Sequence, residues 1–346
     1  MTYGILLWPH PNSRYQQAIQ SVAKAELDLL LCRLDLGYAS ECHESHGVQW
    51  LCFESSPLSN DMVAMISRLS SILLLARMEG SAFYPVSGRA GAYLGSDLPS
   101  VLKYKGKTNE QFTQLLLNIA VLSGKYDLGG QKPLTVCDPM CGRGTTLFAA
   151  LNYGWNVTGV DMDAADIHEL NTFFKRYLTY HKLKHRVTTE NFTIPGNRGV
   201  KATTYSLADT PERYKAGDVR TLRAVNADAS QLAAFSKPAT YHAIACDLPY
   251  GVQHAPGSDS ARSKRLPTFE EMLRELLPVW IKVLKPGGAM ALSFNTYTLP
   301  RDRLRAIMAE VGLEVKESGA YDRFTHWVEQ AVNRDVAVGV KKDLSS

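Results

Sequence analysis

Residues 134–145, Leu134-Thr135-Val136-Cys137-Asp138-Pro139-Met140-Cys141-Gly142-Arg143-Gly144-Thr145, lead from an apolar strand through a glycine turn into a helix. The strand ends on Asp138, and the G-x-G that follows lets the backbone turn tightly and bring its amides against a ligand. Outward from this stretch the rhythm repeats. Strands at 156–160, 223–226, 241–246 and 289–294 alternate with helices at 145–152, 164–180, 230–235, 269–284 and 301–311. Alternation of this kind predicts an α/β, Rossmann-like fold, a mainly parallel sheet with helices on both faces. Extended runs at 314–319 and 328–340 add an antiparallel hairpin at one edge, which makes seven strands. The polar stretch 185–220 reads as a long functional or mobile loop.

Upstream the pattern differs. Residues 1–98 read as a small α+β domain: strand 3–8, helix 14–33, strand 48–54, helix 61–78, then a Gly, Ser and Pro-rich linker over 81–99. The second domain spans 103–346, and Thr108 with Gln111 forms a capping box that opens a helix running to about 123.

The strand ends carry the chemistry, because open parallel sheets bind ligands there. A nicotinamide fingerprint wants a third glycine where Leu147 stands, so a dehydrogenase is disfavoured. Asp161 ends the second strand and suits the two ribose hydroxyls, while Asp163 suits a helix cap. Asp228 follows the third strand and can take an adenine amino group. Asp138 is left to face a cation. Together they describe a cofactor with an adenosine, no pyrophosphate and an amino-acid-like positive charge.

Asp247-Leu248-Pro249-Tyr250 closes the fourth strand. A carboxylate and a neighbouring carbonyl accept the two N–H bonds of a planar amine, and an aromatic ring stacks on its face. The alternative for the isolated tetrapeptide is a surface turn, since Asp and Pro favour turns.

Bulk properties bound the rest. Hydrophobic residues make up 45% and charged residues 21%, an ordinary globular composition. No apolar run is long enough to cross a bilayer. The start has no basic n-region before its apolar stretch, so no secretory signal is expected and a cytoplasmic location is the default. The six cysteines form no C-x-x-C pair, and His242, Cys246, His254 and Asp259 match no common metal spacing. The net charge of +4 is uneven. Residues 1–100 hold six basic against nine acidic side chains, and residues 181–223 hold nine against four. With Arg262, Lys264 and Arg265, the second stretch invites a polyanion near the active site.

Taken as a set, D-P-M-C-G-R-G-T, V-D-M-D, A-D-A, D-L-P-Y-G and Leu284-Lys285-Pro286-Gly287-Gly288 resemble the class I S-adenosylmethionine-dependent methyltransferases. Lys103-Tyr104-Lys105-Gly106-Lys107-Thr108-Asn109, with D-P-M-C-G-R-G-T and D-L-P-Y-G, is similar to the tRNA guanine-N2 methyltransferases of archaea and eukaryotes. The resemblance covers about residues 103–340. It implies S-adenosylmethionine as cofactor, held by Asp138, Gly142 and Gly144 on the methionine side, Asp161 at the ribose and Asp228 at the adenine. Thr108 and Asn109 would close over the methionine moiety. It implies Asp247, Leu248, Pro249 and Tyr250 as the catalytic clamp and an RNA substrate, most like tRNA. A ferredoxin-like N-terminal piece is also implied, whereas a following RNA-binding THUMP module is not evident and the first hundred residues are acidic. A small activating protein or a homodimer stays open as partner. Adenine N6 or cytosine N4 in DNA, or a glutamine amide in protein, presents the same planar amine. A chain that only grips cofactor and RNA is the non-enzyme alternative.

Overall fold

The computed structural model describes residues 1–9, 13–37, 39–45, 47–104, 107–126, 132–194, 197–249 and 268–343. Its first sheet holds β1 (Thr2–Leu7), β2 (Glu41–Ser45), β3 (Val48–Glu54), β4 (Ile72–Glu79) and β5 (Ala82–Gly88), in the order β2-β3-β1-β4-β5. All its pairings are antiparallel. Helices α1 (Ser13–Arg33) and α2 (Asn60–Ile66) accompany it.

Two expectations fail here. The helix expected over 61–78 stops at Ile66, and β4 takes the apolar run that follows. A short apolar run fits a buried helix or a central strand equally well by pattern, and pairing with β1 and β5 on its two sides decides for the strand. The linker expected over 81–99 instead supplies β5, an edge strand that tolerates Pro85.

The second sheet has ten strands: β6 (Thr135–Asp138), β7 (Asn156–Asp161), β8 (His185–Ile194), β9 (Asn197–Leu207), β10 (Arg220–Asn226), β11 (Tyr241–Asp247), β12 (Leu284–Asn295), β13 (Leu313–Val315), β14 (His326–Glu329) and β15 (Val332–Lys341). The order is β13-β15-β12-β11-β6-β7-β10-β9-β8, with β14 beside β15. The five from β12 to β10 are parallel; the outer ones are antiparallel. The sheet is therefore larger and more mixed than seven mainly parallel strands. Most of the surplus comes from 185–207, which pairs as a hairpin and not as a loop.

The remaining helices are α3 (Leu98–Val101), α4 (Glu110–Ser123), α5 (Thr145–Asn152), α6 (Ala164–Tyr180), α7 (Pro211–Lys215), α8 (Leu232–Phe235), α9 (Phe269–Val283) and α10 (Arg301–Glu310). Alternate residues of each central strand point to opposite faces. Ala243 and Ala245 join Leu116, Phe148 and Phe174 under α4, α5 and α6. Ile244 and Cys246 join Leu277, Trp280 and Ile307 under α8, α9 and α10. The two sheets meet through α1 and α4, where the buried Glu26 carboxylate accepts a bond from Asn118 Nδ2 at 2.6 Å.

Candidate functional site

Chain order places the site. From β6 the chain moves to β7 and β10 on one side, and then crosses to β11 and β12 on the other. Where an open sheet reverses direction in this way, a crevice opens beyond the carboxyl ends of the two flanking strands. Those strands are β6 and β11, and they end on Asp138 and Asp247. Both carboxylates line one cavity of about 340 Å³, with Tyr104, Thr108, Gly142, Arg143, Leu248 and Pro249 also in its wall.

The glycine turn forms one side. Gly142 has φ +48° and Gly144 φ +87°, both in the left-handed region that suits glycine. A Cβ on Gly144 would stand 2.7 Å from Leu170 Cδ1, so α5 begins hard against α6. Leu147, in the place of the absent third glycine, is buried where it packs over β7; a Cβ on Gly159 would lie 2.4 Å from its Cδ1. Gly144→Ala is expected to lower stability by about 1–3 kcal/mol through strain and overpacking. Denaturant titration checks this, and an unchanged midpoint would contradict the close packing.

Asp138 is 2% exposed and accepts the Met140 N–H at 3.0 Å. Burial, reinforced by the charges of Asp161 and Asp247, pushes its pKa up to about 7, against the opposing hydrogen bonds from Thr146 and Met140. A buried carboxyl surrounded by acids is a site that favours an incoming cation. Asp161 accepts the Gly142 N–H at 2.7 Å and the Asp163 N–H at 2.9 Å, and burial raises its pKa. Asp163 caps α6 through the Ala165 N–H, as expected. Asp228 is exposed, accepts the Ser230 N–H at 2.8 Å and caps the short turn at Ala229–Gln231. Neither Asp161 nor Asp228 is part of the cavity wall around Asp138 and Asp247.

The capping box expected from Thr108 and Gln111 does not form. Asn109 caps α4, its side-chain oxygen accepting from the Gln111 and Phe112 amides at 2.8 and 3.2 Å. Asn is as good a cap as Thr, and its place one residue later releases the Thr108 hydroxyl. That hydroxyl donates to Asp247 Oδ2 at 2.7 Å. Ser293 Oγ donates to Asp247 Oδ1, also at 2.7 Å, and the Ser293 carbonyl accepts the Leu248 N–H at 2.9 Å. The Arg334 guanidinium lies 3.8 Å from Asp247 Oδ2 and 4.2 Å over the Phe112 ring, 5% exposed. Asp247 is thus oriented by groups from β12, β15 and the segment just before α4. Tyr250 and the basic residues Arg262, Lys264 and Arg265 lie outside the described residues.

Sequence reasoning missed Ser293, Arg334, Tyr104 and Arg143. Ser293 did leave a signal: it is a polar residue within the buried apolar run 289–294, in register with Asp247. Arg334 left none, since β15 brings it in only by pairing with β12. Tyr104 bonds Thr145 Oγ1 at 3.0 Å, and Arg143 stands over its ring, held by Asp166 and Glu169. His326 is buried against Phe112, and burial lowers its pKa to about 4, so it is neutral beside Asp247. Trp327 is part-exposed on β14. No group able to hold a metal occurs among the described residues, and His254 and Asp259 fall outside them. The basic residues of 181–223 are spread out: Lys182 and Lys184 precede β8, Arg186 stands on β8, Arg198 and Lys201 on β9, Arg213 and Lys215 on α7, and Arg220 and Arg223 on β10, with β8 four strand spacings from β6, about 19 Å.

The sequence matches no protein family description and no curated protein. Among solved structures it is similar to a TehB-like SAM-dependent methyltransferase from Corynebacterium glutamicum, at 15% identity over 62% of this chain and 83% of that one, TM-score 0.34. Magnesium protoporphyrin IX methyltransferase from Synechocystis, solved with bound SAM, is 17% identical over 69% and 87%, TM-score 0.39. The T. thermophilus 16S rRNA N2 methyltransferase, solved with AdoMet and guanosine, is 14% identical over 89% and 59%, TM-score 0.36. These scores are low, and the chemistry of the site rests on the side chains in place.

Proposed function

We propose that this protein is an S-adenosylmethionine-dependent N-methyltransferase acting on an exocyclic amino group of a nucleobase in RNA, guanine N2 in tRNA. The observation that carries the reading is the meeting of Asp138 and Asp247 on one cavity at the switch point of the sheet. The residues fit the cofactor. Asp138 favours its amino-acid cation, the left-handed turn at Gly142 and Gly144 admits it closely, and Asp161 stiffens that turn from behind. Asp161 is assigned to the ribose and Asp228, just past the end of β10, to the adenine.

When bound, the cofactor supplies an electrophilic methyl group on a sulfonium. The chain's own part is to prepare the amine, a poor nucleophile because its lone pair is conjugated with the ring. Asp247 and the Leu248 carbonyl accept its two hydrogens and fix its direction. Charge grows on nitrogen in the transition state, so these fixed acceptors bind that state more tightly than the ground state. Asp247 then takes the proton. Pro249 stiffens the loop and Tyr250 stacks on the base.

Residues 1–98 are proposed as a ferredoxin-like domain preceding the catalytic domain at 103–346. The order β1-α1-β2-β3-α2-β4 supports it, with β5 appended. The acceptor is tested by incubating the protein with labelled cofactor and unmodified tRNA, rRNA or DNA, followed by nucleoside mass spectrometry. N2-methylguanosine from tRNA is the expected product. Label in DNA bases or in protein glutamine selects another acceptor, and binding without turnover on any of them removes the enzyme reading.

Ser293→Ala is expected to lower kcat about 10- to 100-fold with cofactor affinity kept, because one hydrogen bond to a charged group is worth about 1.5–3 kcal/mol. Loss of cofactor binding instead would place Ser293 on the wrong ligand.

A further inference from the structure

The β8–β9 hairpin is the largest feature that the proposed reaction does not use. β8 ends the ten-stranded sheet, and among the described residues no strand pairs its outer side. It is ten residues long and exposed from Arg186 to Asn191, with Val187 39% exposed. An unpaired edge presents a row of backbone donors and acceptors, and natural proteins blunt such edges with charged side chains, lysine above all, with proline or with a bulge. β8 has no lysine or proline within it, and its register shift comes only at Phe192 and Thr193, near the far end.

Its charges are Arg186 and Glu190, placed symmetrically about Thr188. An antiparallel strand pair about a two-fold axis through Thr188 sets Arg186 of each copy opposite Glu190 of the other. Val187 then faces Thr189 and His185 faces Asn191, on the two sides of the axis. Axes through Arg186 or Glu190 would set like charges face to face. An axis through Val187 would pair Glu190 with Lys184, which lies outside the strand. Glu190 already reaches Arg223 at 3.4 Å and is more than half exposed, so it can serve a second guanidinium. Among the described residues, no acidic side chain lies within ion-pair reach of Arg186.

We propose that β8 is a self-association surface: two copies of this chain pair their β8 strands antiparallel about Thr188, joining two sheets into one. Opposite charges directly across a strand pair attract and like charges repel, so reversing one charge converts two attractions into two repulsions. Two-fold pairing of one patch with itself is also the commonest form of homo-oligomer.

The full-length protein is examined by sedimentation across a concentration series, with thermal melts confirming that each variant is folded. The parent is expected to dimerise. Arg186→Glu and Glu190→Arg should each weaken the dimer about tenfold or more. An equimolar mixture of the two single variants should dimerise again, and so should the double variant, because both restore opposite charges across the axis. A parent that stays monomeric throughout overturns the proposal, as do single variants that dimerise like the parent. If Arg186→Glu leaves the mass unchanged and weakens retention of tRNA, the edge belongs to nucleic acid and the proposal fails.

Discussion

Replacing Asp247 by alanine is expected to abolish methyl transfer while cofactor binding survives. The carboxylate is the proposed anchor of the amine clamp, and Thr108, Ser293 and Arg334 all converge on it. Alanine removes an acceptor aimed at the growing charge, and losing one such electrostatic partner costs about a hundred- to a thousandfold in kcat. Losing the proton acceptor as well lowers the rate further. Asp247→Asn keeps the shape and can still bond Ser293 and Thr108, so any loss of rate it shows measures the charge and the proton acceptor together, apart from packing. Cofactor titration by calorimetry and single-turnover methylation of tRNA give both readouts. Near-normal turnover in Asp247→Ala would show that the clamp has been misassigned.

Asp138→Asn is expected to move cofactor affinity and folding stability in opposite directions. Burial raises the Asp138 pKa to about 7 in the folded protein, against about 4 in an unfolded chain. Between these values the folded state holds one proton more than the unfolded state. Stability therefore falls as pH rises through this window and levels off above about 7, by about 4 kcal/mol at the most. Asparagine stays neutral, so the cofactor-free variant should melt higher than the parent at pH 8 and alike below pH 4. Its affinity for the cofactor should collapse, because the counter-charge to the ammonium is gone. In the parent, affinity should weaken about tenfold per pH unit below about 7. A melting difference that does not change with pH would refute the buried-carboxyl account.

How far the sequence could be read depended on burial. The five central strands and the helices over 145–152 and 164–180 carry apolar patterns because both sheet faces are covered, and they emerge where expected. β8 carries no such pattern, since Arg186 to Asn191 are exposed on both faces, and so a polar hairpin reads as a loop. Asp138 and Asp247 are legible as strand ends, and both line the one cavity. What surrounds Asp247 was not: Arg334 arrives through a strand pairing that no local spacing announces. Thr108 had two plausible local roles, and only the tertiary fold chose the distant one.

Helix α4 gives the molecule a lever. Near its middle, Asn118 grips the buried Glu26 of α1, and just before its first turn Thr108 touches the group proposed to steer the amine. A tug on α1 therefore reaches Asp247 through a single rigid rod. Asn118→Leu, which releases that grip, is expected to slow turnover while leaving cofactor affinity intact; equal kinetics in the two proteins would mean the rod transmits nothing.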